Sequence, residues 1–573
     1  MSIRPDSLTL DKLLQGRLFR IPDYQRAYSW ETKQRKDLFS DIQKVAQAKS
    51  ADRRHFMSTV VCLQTNEKEE VGADEFGVFY VVDGQQRLTT LIILLKAISK
   101  KLSVGTDSEQ KESGKLTELL VKEGGRLILL QTNHDNTQLF RRYLEKGLIP
   151  GEENVETLAD RNIIKAFNEC VEFVDQWNGD TLSLLKLVEN RLEFIFYVLD
   201  DEGAVHTTFE VLNSRGLEVD WLDKCKSMLM GIAFEKLELE TSKEYIDDLR
   251  KSWSKIYKAI GLKRIQGQEI LRFAATLEDV NGGSKVSSAE NAIDFFRKIC
   301  EKEPKKVLDV SNNFLEIAKQ LEIFADDARL KAIITISHAR LLGVSIMLHQ
   351  GLAKVEKDEI LREWEKVTFR IFGLHRRDGR TKVGEYIRLA RRISEETVLC
   401  QEILEKIIEI GIDYPADKAA AELRDINCYE GWQDELAYFL YRYEEHLAKQ
   451  CGGSVSEEIW IQVWNSSLAK TIEHIHPQTL NESWRGKFGT KKDYIERQTQ
   501  RLGNLIILPP GVNSSAGNKS FLDKKEIYQR HRNLKLIDEI LAKEDWDIAA
   551  LVERENRLID WATQEWGSKN LDL

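Results

Sequence analysis

Ile472-Glu-His-Ile-His-Pro477 is followed, 27 residues beyond its proline, by Asn504 within Leu502-Gly-Asn-Leu-Ile-Ile-Leu508, and nine residues later by Asn513. Short apolar runs bounded by turn residues read as strands, so the stretch from Thr471 to Arg532 is expected to run strand, turn, strand, helix. Its polar residues suit hydrolytic chemistry. A neutral imidazole accepts a proton near pH 7, and oxygen ligands hold Mg²⁺ while leaving coordination positions open. His474 and His476 compete for the first role: two-residue spacing on a strand puts both on one face, and a His-x-His pair also resembles a pair of metal ligands. The acid at Glu473 and the proline three residues on favour His474. Between Arg485 and Lys535 there are twelve Lys/Arg against four Asp/Glu. Such an excess offsets backbone charge on a phosphate-rich substrate, with Lys519 and Lys525 as candidate contacts.

Upstream, residues 426 onward begin with helices rich in Trp and Tyr. Residues 236–425 show helical periodicity almost throughout, with breaks near Asn281-Gly-Gly-Ser284, Pro304 and Gly379. A second basic cluster, Arg376 to Arg392, sets seven Arg/Lys against two acids. It reads either as a solvated helix face or as a contact surface, with Arg376, Arg377 and Arg380 foremost. Residues 1–235 alternate strand and helix: Met57–Leu63, Val78–Val82, Arg126–Leu130 and Leu192–Leu199 read as strands, and Leu88–Ile98 as a helix. The expected domains are therefore 1–235, 236–425 and 426–573.

Three polar segments mark the first domain: Ile21-Pro-Asp-Tyr-Gln-Arg-Ala-Tyr-Ser-Trp30, Val82-Asp-Gly-Gln-Gln-Arg-Leu-Thr-Thr90 and Phe209-Glu-Val-Leu-Asn-Ser-Arg-Gly216. Asp83-Gly84 predicts a tight turn after a strand, and the helix behind it starts with unpartnered N–H groups that attract anions. Arg87 adds a bidentate phosphate clamp. Ordinary helix capping is the competing reading of this motif, and a place in the core the competing reading of Tyr24, Tyr28 and Trp30. No Gly-x-x-x-x-Gly-Lys-Ser/Thr occurs, so no P-loop is expected.

Composition sets the frame. With 573 residues, 42% hydrophobic and 31% charged, the chain is expected to fold as several soluble domains. A net charge of -10 argues against coating nucleic acid indiscriminately. Seven scattered cysteines imply neither a disulfide framework nor a zinc knuckle. No signal-like or membrane-spanning run is present, so a cytoplasmic location with no membrane partner is expected.

The C-terminal spacing resembles the HNH, or His-Me finger, nucleases. That resemblance implies a ββα-metal unit with His474 as general base, Glu473 and Asn513 as ligands of Mg²⁺ or Mn²⁺, and Asn504 orienting the attacking water. The three N-terminal segments, paired with such a unit, resemble the GmrSD family of modification-dependent (type IV) restriction enzymes. The resemblance implies an α+β, predominantly helical chain with a ParB/sulfiredoxin-like N-terminal domain. It further implies a nucleoside triphosphate (GTP, ATP or another) bound by Tyr24, Gln25, Arg26, Asp83, Gln85, Gln86 and Arg87, with Asn213 and Arg215 closing the pocket. The expected partner is modified double-stranded DNA of phage origin, and paired strand cuts make a homodimer an expectation. Two rivals stay open: nuclease chemistry in the N-terminal domain, and a non-catalytic, nucleotide-gated DNA-binding protein.

Overall fold

The computed structural model describes residues 6–567 apart from 24, 48–53, 123–126, 133–136, 200–220, 262–264, 266, 280–281, 328–329, 331–332, 334, 396, 425, 465 and 532. The fold is α+β and mostly helical. The chain gathers into two compact units, residues 1–271 with 289–318 and residues 272–288 with 319–573, so the helices expected at 236–425 contribute to both. No helix among the described residues is long and apolar enough to cross a membrane.

The first unit is organised by strands β1 (Asp6–Thr9), β2 (Arg17–Arg20), β3 (His55–Val71), β4 (Asp74–Asp83), β7 (Leu130–Gln131) and β8 (Leu192–Leu199). They form a mixed sheet in the order β1-β8-β3-β4-β2-β7, while β5 (Val121–Lys122) and β6 (Leu127–Ile128) pair separately. β8 alternates its faces as its sequence predicts: Leu192, Phe194 and Phe196 join the main core, and Leu199 joins Val61, Leu63 and Val82 on the opposite face.

β4 ends at Asp83, and the helix Gln85–Leu102 follows at once. Gly84 makes that turn with φ +91°, and a Cβ there would lie 3.0 Å from the Thr59 carbonyl oxygen, so only glycine fits without strain. The helix is apolar nearly all round, from Leu88 to Leu102, and is buried accordingly. Each such aliphatic side chain contributes about 1.5–3 kcal/mol, which fixes the start of the helix, and the motif on it, rigidly.

In the second unit β9 (Ile472–His474) and β10 (Leu505–Ile507) pair antiparallel, with His474 opposite Leu505 and Glu473 opposite Ile506. Helices Pro510–Ala516 and Phe521–Gln529 follow β10, so the strand, strand, helix order read from the sequence is present. Phe369, Tyr438, Phe439, Trp561 and Trp566 pack ring on ring with Trp432 beneath this region.

Candidate functional site

Strands of three residues do not hold alone. A buried guanidinium supports them: Arg554, on the helix Ile548–Glu565, donates through Nη1 to the carbonyls of Gly503 (2.8 Å) and Leu505 (2.9 Å). A Cβ at Gly503 would sit 2.3 Å from the Leu551 carbonyl oxygen, so this close approach requires the glycine.

His474 closes β9. Its Nε2–H donates to the Gln500 side-chain oxygen at 3.0 Å, and in that tautomer Nδ1 carries the lone pair, with no hydrogen-bond partner among the described residues. The Tyr429 ring stands edge-on at 4.5 Å. Burial, the largest influence, pushes the imidazole pKa down to about 4; the Gln500 hydrogen bond opposes this and the nearby Lys524 ammonium reinforces it. The ring is therefore neutral at pH 7. It is also only 8% exposed.

Asn504 differs from its expected role. It lies in the turn Leu502–Asn504 just before β10, fully buried, and its carboxamide is saturated. Its oxygen accepts from His476 N (2.8 Å) and Trp546 Nε1 (3.0 Å), and its nitrogen donates to the carbonyls of His476 (3.0 Å) and Thr499 (2.8 Å). An amide makes four such bonds, so no capacity remains to orient water; Asn504 instead locks the loop leaving β9. His476 lies beyond the strand, stacked on Phe488 at 3.8 Å, and is a core aromatic.

Glu473 is buried, and Lys524 Nζ donates to it at 2.6 Å and Tyr528 Oη at 2.9 Å. Burial raises the Glu473 pKa, against the pull of Lys524. Lys524 also donates to the His474 carbonyl (2.7 Å), and Asn513 Nδ2 to the Ile472 carbonyl (3.2 Å). Both carbonyls face away from β10 by the antiparallel alternation, so Asn513 and Lys524 bracket Glu473 along the free edge of β9. Among the described residues no three His, Cys, Asp or Glu side chains cluster. A divalent ion here would depend on the carboxylate and carboxamide oxygens of Glu473 and Asn513. That donor set suits Mg²⁺ or Mn²⁺ in kind, and the ammonium beside Glu473 marks a place that takes positive charge. Lys519 is exposed, whereas Lys525 is half-buried and donates to the Lys543 carbonyl at 2.6 Å, which removes it as a free DNA contact.

Sequence reasoning passed over Lys524, Tyr528, Gln500 and Tyr429. For the first two a signal existed: Phe521, Lys524 and Tyr528 share a helix face, and a lysine on an apolar stripe needs a buried partner.

The N-terminal motifs divide into two kinds of residue. Gln25 Nε2 donates to the Val82 carbonyl (2.7 Å) and Gln85 Nε2 to the Gln25 oxygen (2.9 Å). Gln86 accepts from Ser29 N (2.8 Å) and Trp30 N (3.3 Å) and donates to the Ala27 carbonyl (3.1 Å). All three are buried and pin the segment after Ile21 to the start of the motif helix. These bonds draw on the amides that the sequence assigns to a nucleotide pocket. Tyr28 and Trp30 are core residues, with Tyr28 Oη bonded to Thr90 Oγ1 at 2.8 Å.

Arg26, Asp83 and Arg87 are half-buried. Burial lowers the pKa of both arginines, opposed for Arg26 by Asp223 and Asp83 and for Arg87 by Asp41 and Asp83; burial raises that of Asp83. Arg87 Nε has no hydrogen-bond partner among the described residues, and its guanidinium lies 5.6 Å from the Trp30 ring centroid. Arg26 also lines a cavity of about 450 Å³ with Asn162, Asp223, Tyr257 and Gln268. Tyr24, Asn213 and Arg215 lie outside the described residues.

Comparison with known families gives two matches. The N-terminal domain of GmrSD restriction endonuclease matches residues 9–230, and the C-terminal domain of GmrSD restriction endonucleases matches residues 414–561. The comparison with curated proteins gives no match. The first match contains Arg26, Asp83 and Arg87, the second Glu473, His474, Asn504 and Asn513. Together they span more than half of the chain in the order of the two motif clusters, and the protein belongs to the GmrSD restriction endonuclease family, with both parts of that architecture in a single chain.

Proposed function

We propose that the protein is an NTP-regulated, modification-dependent DNA endonuclease of phage defence, acting in the cytoplasm and cutting phosphodiester bonds at an HNH site centred on His474. In this reading β9, β10 and the following helix are the ββα-metal finger, and the mixed sheet is a ParB/sulfiredoxin-like domain. The observation that carries it is the His474 imidazole: neutral, at the end of a strand, with Nε2–H bonded to Gln500 and Nδ1 left as the base. His474 removes a proton from the attacking water. Asn504 holds the loop that follows, and Gln500 holds the tautomer. Glu473 and Asn513 would hold Mg²⁺ or Mn²⁺, which when bound stabilises charge on the phosphoryl and leaving oxygens.

At the other end, Arg26 and Arg87 contact the phosphates of a bound triphosphate, GTP, ATP or another, and Asp83 holds its cation or a water. The cavity beside Arg26 has the size of a small-ligand pocket. Duplex DNA is the partner, modified DNA the preferred one, and a homodimer accounts for cuts in both strands.

The burial of Glu473 against Lys524 supports a second reading, in which the unit is vestigial and the protein only binds DNA. One assay separates them: incubation of wild type and His474→Ala with modified and unmodified phage DNA, with and without NTP and Mg²⁺ or Mn²⁺. We expect metal-dependent cutting by the wild type, reduced by a factor of about 10²–10⁴ or more in His474→Ala, assayed where the variant is folded. Equal cutting by the two proteins would remove His474 as the base, and no cutting under any condition would favour the second reading.

A further inference from the structure

The basic turn after Leu374 is not absorbed by either site, and several observations single it out. It follows a π-helical segment, Phe369–Leu374, that is wholly buried. Such segments are rare and are frequent at functional sites. Arg376 (φ +52°) and Lys382 (φ +56°), one at each end of the turn, are the two non-glycine residues with positive φ among the described residues. Left-handed backbone at a bulky side chain is strained and persists only where its surroundings enforce it. Here they do. Trp432 Nε1 donates to the Gly373 carbonyl (2.9 Å), His338 Nε2–H to the Thr381 carbonyl (3.1 Å), and Lys382 Nζ to Asp413 (2.8 Å).

What this scaffold presents is charge. Arg376, Arg377 and Arg380 are exposed, and none makes an ion pair with a described residue; Lys382 is paired with Asp413, and Arg391 gives three short hydrogen bonds to backbone carbonyls where Arg376 gives one long one, at 3.4 Å. The turn also adjoins the nuclease site. Arg376 Nη2 donates to the Gly431 carbonyl (3.4 Å), which ends the short helix Cys428–Gly431. In that helix Tyr429 lies against His474, and Cys428 N–H donates to the carbonyl of Gln500, the residue that holds the His474 tautomer (3.2 Å).

We propose that Arg376, Arg377 and Arg380 form a preorganised clamp on the DNA backbone, gripping phosphates of the duplex that flank the bond facing His474. The proposal rests on the nuclease reading for the identity of its partner. Guanidinium groups pair bidentately with phosphate oxygens, and a rigid turn loses little entropy on binding. The contact is blind to base sequence, so it positions any duplex and leaves recognition of a modification elsewhere.

The test is binding of a fluorescein-labelled DNA duplex of arbitrary sequence, followed by anisotropy at a series of salt concentrations without divalent metal. The proteins compared are wild type, Arg377→Gln/Arg380→Gln, the same double variant with Arg376→Gly, and His474→Ala. Each phosphate contact contributes about 0.9 to the slope of log affinity against log salt. We expect that slope to flatten by roughly two in the double variant and roughly three in the triple variant, equally on unrelated sequences, with His474→Ala unchanged. The glycine at 376 relieves the left-handed strain, and the double variant leaves that backbone intact should the triple one fail to fold. A wild-type slope in the folded double variant would overturn the clamp while leaving His474 untouched. Cutting that survives His474→Ala would overturn the nuclease reading without altering what the slopes say about the turn.

Discussion

The two motif clusters treat their charged residues in opposite ways. At the C-terminal site Glu473 is locked against Lys524 and Tyr528 in the protein interior. At the N-terminal site Arg26, Asp83 and Arg87 are half-buried, and Arg87 Nε has no hydrogen-bond partner among the described residues. In both, the amides named by the motif (Asn504 in one, Gln25, Gln85 and Gln86 in the other) are bonded within the fold. The charged side chains of the N-terminal cluster are thus less committed within the fold than Glu473, whose carboxylate already holds the Lys524 ammonium.

The largest expected effect separates the two clusters directly. Lys524→Ala leaves a buried carboxylate without its cation, and breaking such a pair costs about 3–5 kcal/mol. Arg87→Ala removes a half-buried cation whose main described contact is the Trp30 face, worth about 1 kcal/mol or less, but it should weaken triphosphate binding strongly. Chemical denaturation and nucleotide titration of both variants check the contrast. Equal stability losses would show that the two charges are not differently placed after all.

Next in size are the amides. Asn504→Ala strands two buried donors and two buried acceptors, in His476, Thr499 and Trp546, and we expect a loss of about 3 kcal/mol. Gln86→Ala frees two N–H groups and one carbonyl near the motif helix, for about 2 kcal/mol. Both variants should unfold at lower denaturant, with Asn504→Ala the weaker protein. A stable Asn504→Ala that cuts slowly would instead restore the role in orienting water.

These amides also mark where sequence reading stops. β8 was legible as a strand because its short apolar and aromatic run suits one, and the strand period then puts Leu192, Phe194 and Phe196 on one face. The turn at Gly84 was legible because its backbone conformation demands glycine, and the strand, strand, helix order around His474 because it is local to one supersecondary unit. A residue type states what a side chain can bond, however, and not whether neighbours already use that capacity. Asn504 and Gln86 therefore passed for site residues, while Tyr429 and Gln500 were invisible: they meet His474 from separate elements through tertiary packing alone. Lys525, expected as a DNA contact, is half-buried and bonded to the Lys543 carbonyl, and the buried role of Lys524 beside it is a phase that Phe521 and Tyr528 mark on the helix.

A third buried polar group, His338, extends the comparison to the basic turn and gives the smallest effect. It is 3% exposed, packs edge-on to Phe372 and Tyr386, and bonds the Thr381 carbonyl. Burial, outweighing that hydrogen bond and the field of Glu385, pushes its pKa from 6.5 down to about 4. The unfolded chain, with the ordinary value, therefore binds more protons than the folded one between those two pH values, and stability must fall as the pH drops through that window. The contribution is complete above pH 6.5 and is lost progressively down to about pH 4. Each pH unit well inside the window is worth up to about 1.4 kcal/mol, so we expect about 1–2 kcal/mol to be lost between roughly pH 7 and pH 5. His338→Gln, which does not titrate there, should flatten the unfolding free energy over that range by the same amount. A pH dependence identical in the variant and the wild type would mean that His338 protonates without disturbing the turn, and the turn would then be held by its other anchors, the Trp432 and Asp413 contacts.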